Sequence, residues 1–145
     1  MKVKECMCND VSCVKPEAKI SEVAKLMLDK HVGCIPVCDN NNKVVGLVTD
    51  RDLILRSLAR NKNTNTTPIS EVRTTKVYKI SSEADISEAS KMMSECQIRR
   101  IPVVDNNSIV GIITLGDLTK KCDTNQISST FEGICKCGNN AKNAE

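Results

Sequence analysis

At 145 residues, with 40% apolar residues, 27% charged residues and a net charge of +3, the chain fits one compact module. The charge is scattered rather than blocked, which argues against a footprint for a long nucleic-acid backbone. No stretch approaches the roughly 18 consecutive apolar residues of a membrane span, and Met1 to Glu5 leads into no apolar signal core, so a cytoplasmic chain with no membrane partner is expected.

Taken in chain order, Val11 to Val14 is a short β-branched run ended near Pro16. Ile20, Val23, Ala24, Met27 and Leu28 recur at helical spacing and predict one apolar face. Val32 to Val37 and Val44 to Val48 predict strands joined as a hairpin by Asp39-Asn40-Asn41-Asn42, with Pro36 at a position where a strand tolerates a missing amide. Thr49 then opens a helix carried by Leu53, Ile54 and Leu58. Asn61 to Thr67 is polar and aperiodic, a linker.

The same sequence of elements then returns. Val77 to Ile80 predicts a strand, and Ile86, Ala89 and Met93 a helix face, with Asp85 and Glu88 placed for a capping box. Lys19, at the equivalent place in the first copy, cannot cap in that way. Ile98 to Val103, the turn Asp105-Asn106-Asn107 and Ile109 to Ile113 form the second hairpin, and Thr114 opens the second closing helix. Beyond Cys122 the apolar residues thin to Ile127, Phe131 and Ile134, so partial order is expected there.

Val3 to Asn41 thus recurs as Ile69 to Asn107 at an offset of about 66 residues, and after a one-residue slip the match runs to Leu118. A unit of roughly 60 residues buries too little surface to be secure alone. The expected architecture is α+β: two β-α-β-β-α repeats packed about a pseudo-two-fold axis, with any ligand site between them. The boundaries are residues 1–60 for the first repeat, 61–67 for the linker, 68–122 for the second repeat and 123–145 for a cysteine-containing, partly flexible tail. With no Trp, one Tyr and one Phe, the core must be aliphatic and a base cannot be held mainly by stacking.

The sharpest chemical signal is Gly46-Leu47-Val48-Thr49-Asp50-Arg51-Asp52 and its counterpart Gly111-Ile112-Ile113-Thr114-Leu115-Gly116-Asp117. In each, a strand delivers a Thr to a helix start, where unpaired amides favour an anion, and an Asp one turn later suits a ribose diol. The plainer alternative is that Thr49 and Thr114 are N-caps whose Asp partners answer the helix dipole. Arg51, Arg99 and Arg100 supply cationic donors near the proposed phosphate position, or else are solvated surface residues. Arg51 aligns with Gly116, and Arg99-Arg100 with Gly33-Cys34, so two sites of equal affinity are not expected.

With the Ile-Pro-Val-x-Asp strand and the Gly-h-h-Thr-x-x-Asp close (h aliphatic) both duplicated, the chain from Val3 to Lys121 resembles a tandem pair of cystathionine-β-synthase (CBS) domains, a Bateman module. The resemblance implies a regulatory module that binds an adenosine-containing ligand (AMP, ADP, ATP, S-adenosylmethionine or NADH) between the repeats. It implies ribose at Asp52 or Asp117, and sugar or phosphate at Thr49 or Thr114. It implies adenine near Ser12 to Val14 and Cys34-Ile35, or near Tyr78 to Ile80 and Arg100-Ile101. Arg51 and Gly116 complete the expected site. A homodimer is the implied assembly, the nucleotide is a regulatory ligand rather than a required cofactor, and the effector protein is unknown.

A competing signal is thiol-based. Nine cysteines without an export signal suit reduced thiols rather than a disulfide scaffold. Cys6, Cys8, Cys135 and Cys137 offer four sulfurs for zinc or redox sensing, although Cys-x-Cys is a weaker zinc pattern than paired Cys-x-x-Cys and Cys6 aligns with Val72, a core-type residue. His31 aligns with Gln97 at a helix end. No nucleophile stands with an evident base, and there is no Gly-rich phosphate loop, so a non-enzymatic protein is expected.

Overall fold

The computed structural model describes residues 1–136; Cys137 lies outside the described residues. The helices are α1 (Ile20–Lys30), α2 (Asp50–Leu55), α3 (Ile86–Cys96), α4 (Leu115–Thr119) and α5 (Thr124–Ile134), and the strands are β1 (Cys34–Cys38), β2 (Val44–Thr49), β3 (Arg100–Asp105) and β4 (Ser108–Thr114). β1 pairs with β2 and β3 with β4 in two separate two-stranded sheets, giving the mixed α+β class expected.

The chain forms two compact units, and these do not coincide with the sequence repeats. The α1 unit comprises Asp10–Val77 with Asn106–Ile109; the α3 unit comprises Met1–Asn9, Tyr78–Asp105 and the chain from Val110 onward. Each repeat's leading segment therefore serves the unit built by the other repeat. Val3, fully buried, joins Ile86, Met93, Ile101, Ile113 and Leu118 in the core of the α3 unit. Its counterpart Ile69 joins Ile20, Val23, Ile35 and Val48 in the core of the α1 unit. Burying such a side chain contributes about 1.5–3 kcal/mol. The backbone contacts match copy for copy: Lys2 bridges Asp85 as Pro68 bridges Lys19, and Cys8 bridges Ile112 as Thr74 bridges Leu47.

Two glycines admit these crossing segments. A Cβ at Gly111 would stand 2.7 Å from Met7 Sδ and 2.9 Å from Cys8 O, and one at Gly46 would stand 3.2 Å from Thr74 O. Side chains there would push the leading segment off the strand.

The leading strands expected at Val11–Val14 and Val77–Ile80 shrink to single parallel bridges, Val14 to Val37 and Ile80 to Val103. The cause lies in β1 and β3. Val14 donates to Pro36 O at 3.1 Å and its carbonyl accepts from Cys38 N at 2.9 Å. The next rung would need an amide from Pro36, which has none. Pro102 stops the second ladder in the same way, after Ile80 N to Pro102 O and Val104 N to Ile80 O.

The hairpin turn of the first copy is built by Asp39, whose Oδ1 accepts from the amides of Asn41 and Lys43 at 2.9 and 3.0 Å. Asn42, Asn106 and Asn107 take the positive φ these turns require. A register irregularity between Val37 and Cys38 passes over Val45 on the partner strand.

On α1, Ile20, Val23 and Met27 are buried as expected, but Ala24 is exposed and Leu28 is 72% exposed. The predicted five-residue face is therefore narrower than its periodicity. The closing helix of the first copy is shorter than expected too: α2 ends at Leu55, and Ile54 and Leu58 are largely exposed. Linker carbonyls complete the start of α1, with Thr67 O accepting from Ile20 N and Thr64 O from Ser21 N. Lys19 offers no side-chain acceptor, and Glu22 Oε2 instead takes its amide at 2.9 Å. Asp85 does cap α3, but through the Ser87 amide at 2.9 Å rather than in a box with Glu88. His31 and Gln97 both end their helices in the left-handed conformation.

The expected partial order of the tail gives way, over Thr124–Ile134, to a helix packed on α3. Asp123 caps it through the Gln126 amide at 2.8 Å. The buried hydroxyls of Ser90 and Thr130 hydrogen-bond to each other, and Ile134 enters the core of the α3 unit. A Cβ at Gly133 would stand 2.8 Å from Ser94 Cβ and 3.0 Å from Ser94 Cα. Replacing a helical Gly by Ala ordinarily gains about 1 kcal/mol, whereas overpacking against backbone costs about 1–3 kcal/mol. Gly133→Ala is therefore expected to lower the urea midpoint, and Ser94→Gly in the same chain to recover part of the loss; a raised midpoint in the single variant would contradict the close approach.

Candidate functional site

Each unit carries one Thr-x-x-Asp element, and the two are built alike. In the α1 unit, Thr49 is extended at the end of β2 and caps α2: its Oγ1 accepts from Asp52 N at 3.2 Å, and Asp52 Oδ2 accepts from Thr49 N at 3.0 Å. In the α3 unit, Thr114 Oγ1 accepts from Asp117 N at 3.2 Å, and Asp117 Oδ2 accepts from Thr114 N at 2.8 Å. The reciprocal pair satisfies two amides that a helix start leaves unpaired. The plain capping account is therefore realised in both copies, and any ligand role is added to it.

The start of each helix is also tied to the segment before the central strand. Gly33 O accepts from Asp50 N at 3.0 Å, and Arg99 O accepts from Leu115 N at 2.8 Å. Ser12, Cys34, Ile35, Thr49, Arg51 and Asp52 accordingly belong to the α1 unit, and Tyr78, Arg100, Ile101, Thr114, Gly116 and Asp117 to the α3 unit. Each unit holds one full set of the expected residues. Within the sets their settings differ. Ile35 and Ile101 are fully buried in the aliphatic cores, so only their main chain can meet a ligand. Cys34 is buried as well. Ser12, Tyr78 and Arg100 are half-buried, while Arg51 and Gly116 are exposed.

The two carboxylates have different surroundings. Asp52 Oδ2 also accepts from Thr74 Oγ1 at 3.4 Å, and its Oδ1 stands 3.7 Å from Arg56 Nε, the two side chains being 13% and 21% exposed. Arg56 Nη1 in turn donates to Arg73 O at 3.2 Å. Arg73 Nε and Nη1 are buried and have no hydrogen-bond acceptor among the described residues. Asp117 has none of this network. Among the described residues its Oδ2 takes only the amide and hydroxyl of Thr114, both at 2.8 Å, and a Cβ at neighbouring Gly116 would meet nothing closer than Thr114 Oγ1 at 3.5 Å.

Sequence reasoning missed Thr74, Arg56 and Arg73. The spacing of Arg56 four residues after Asp52 is a readable helix signal. Thr74 and Arg73 arrive from the leading segment of the second repeat and carry no local signal. Their counterparts by alignment are Cys8 and Met7.

Of the alternative zinc residues, Cys6 packs against the α3-unit core as its alignment with Val72 implies, and burial pushes its thiol pKa up. Cys8 and Cys135 are exposed. Among the described residues no group of three or more His, Cys, Asp or Glu side chains is placed to hold a metal ion. No helix among them is long and apolar enough to cross a membrane.

Comparison with known proteins gives two matches to the CBS domain family model, at residues 3–59 and 69–123. The chain is 40% identical over 131 residues to the CBS domain-containing protein YhcV of Bacillus subtilis, covering 90% of this chain and 89% of that protein. Among solved structures, Hypoxic Response Protein I with two coordinated zinc ions aligns at a TM-score of 0.78 and 28% identity, covering 85% of this chain and 100% of that one. The CBS domain pair of protein MJ0100, in complex with 5-methylthioadenosine and S-adenosyl-L-methionine, aligns at 0.74 and 29% identity, covering 83% and 94%.

The caps are expected to matter for stability whatever they bind. Thr114→Ala should cost about 0.5–2 kcal/mol and Thr114→Ser much less, read from urea denaturation of both variants; equal stability of all three proteins would remove the cap as a structural element.

Proposed function

We propose, from the premise that this chain belongs to the CBS domain family, that it is a non-enzymatic regulatory module whose ligand is an adenosine-containing nucleotide, with Asp117 as the principal ribose-binding residue. The observation that carries this reading is the contrast between the two carboxylates. Asp52 is already engaged by Thr74 and Arg56. Among the described residues, Asp117 answers only Thr114, beside an exposed glycine. A carboxylate with oxygen acceptors to spare suits a ribose diol, and the Thr114 hydroxyl stands beside it for sugar or phosphate. The adenosine compounds bound by the similar MJ0100 pair support the ligand class. Regulation then requires the ligand to prefer one arrangement of the protein over another.

Calorimetric titration with AMP, ATP, S-adenosylmethionine and NADH tests the reading. A hydrogen bond to a charged group contributes about 1.5–3 kcal/mol, so Asp117→Ala is expected to weaken the best ligand by about tenfold or more. Asp52→Ala should lower stability more than affinity. Unchanged affinity in the Asp117 variant would remove its ribose role, and absence of binding across the panel would remove the ligand class.

The same module is proposed to act as a homodimer through the helical face of the α1 unit. Leu28, Ile54 and Leu58 are 72%, 56% and 69% exposed there. By alignment, Ala24 and Leu28 correspond to Ser90 and Ser94, the α3 residues that α5 covers. One copy of this face is thus closed by the chain itself and the other is left apolar and open, as a surface for a second molecule. Light scattering is expected to give a dimer that Leu28→Glu with Leu58→Glu converts to monomer; a monomeric parent protein at micromolar concentration would dismiss the assembly.

A further inference from the structure

The cysteine pair best placed for chemistry is one that the spacing of Cys-x-Cys motifs does not reveal. The parallel bridge between Val14 and Val37 sets the register of the leading segment against β1. Val14 and Val37 both face the α1-unit core. Side chains alternate along extended backbone, so Cys13 and Cys38 share the opposite face, one step to either side of the bridge. There the thiols of Cys13 and Cys38 hydrogen-bond to each other. Cys38 is 1% exposed, whereas Cys13 is half-buried and reachable from solvent. Lys15 stands next on the same segment, its ammonium held on Asp39 O at 2.7 Å beside Cys38.

The repeat shows that the pair is an addition rather than a shared core feature. The matching bridge, Ile80 to Val103, has Lys79 and Val104 at the corresponding positions. Neither position of the pair is a cysteine in the other copy, yet in this copy both are.

We propose that Cys13 and Cys38 are a reversible oxidation site that closes to an intramolecular disulfide when the protein meets a peroxide. The Cys13 sulfur is the attacking group. The hydrogen bond from Cys38 lowers its pKa, with help from Lys15 and against its own burial, while the same bond and burial push Cys38 up. The thiolate, not the thiol, is the nucleophile. Cys13 Sγ attacks one peroxide oxygen: the S–O bond forms, the O–O bond breaks, and the departing hydroxide takes the proton that Cys13 released, leaving as water. Cys38 Sγ then attacks the Cys13 sulfenic sulfur: the S–S bond forms, the S–O bond breaks, and the hydroxide leaves as a second water with the Cys38 proton. Two thiols are oxidised by two electrons in total and one peroxide is reduced to two waters.

The nearest competitor is Cys34, which lies on the same face of β1 four residues before Cys38. The test is hydrogen peroxide titration of the whole chain, alkylation under denaturing conditions, and peptide mapping by mass spectrometry. Expected is a peptide linking Cys13 to Cys38, loss of both thiols to alkylation, and their recovery with dithiothreitol. In Cys38→Ser, Cys13 should accumulate as a dimedone-trapped sulfenic acid; in Cys13→Ser, Cys38 should stay alkylatable. A Cys13–Cys34 link in its place, or full alkylation of Cys13 and Cys38 at peroxide levels that oxidise exposed Cys8, would overturn the proposal.

Discussion

Val3 and Ile69 are each wholly buried in a core that the other repeat builds. This exchange of leading segments is the constraint on which the remaining structure rests. A small aliphatic unit has little apolar area to spare, and here part of it is supplied from a distant stretch of chain. The crossing segments need Gly46 and Gly111 beneath them. They also bring Thr74 to Asp52 and Cys8 to β4, so the exchange sets the surroundings of the Asp52 carboxylate.

The duplicated frame has been used differently in its two copies. Asp52 is drawn into a polar network with Thr74 and Arg56, whereas Asp117 keeps to its cap. The outer face of α1 is open and apolar, whereas that of α3 is closed by α5 through small and hydroxyl side chains. The face beside the Val14 bridge holds two thiols, and the corresponding face beside Ile80 holds none. Duplication gave equivalent positions in the two copies, and the side chains at them have diverged.

Much of this was legible in the sequence, because the features concerned are local. The hairpins were marked by Asp-Asn turns, the caps by Thr three residues before Asp, and the helix cores by Ile20, Val23 and Met27 or Ile86, Ala89 and Met93. The exchange was not legible, since the repeat aligns Val3 with Ile69 but does not say which core either one enters. Helix α5 read as a tail because its contact face uses Thr130 and Gly133 against Ser90 and Ser94, residues without an apolar signature. The ladder stop at Pro36 was half visible: the proline announced a missing amide, but only the register shows that the leading strand was the one to lose it.

The exchange also orders events on the ribosome. Asp10–Val77 contains nearly all of the α1 unit, including Ile69 and Thr74, so that unit can condense soon after its last residues leave the exit tunnel. Met1–Asn9 is made before the α1 unit yet has no core to enter until Ile80 to Leu118 has been translated. The nascent chain must therefore carry residues 1–9 as an unplaced strap while the α1 unit is made, and the later-made α3 unit is closed by residues translated before it.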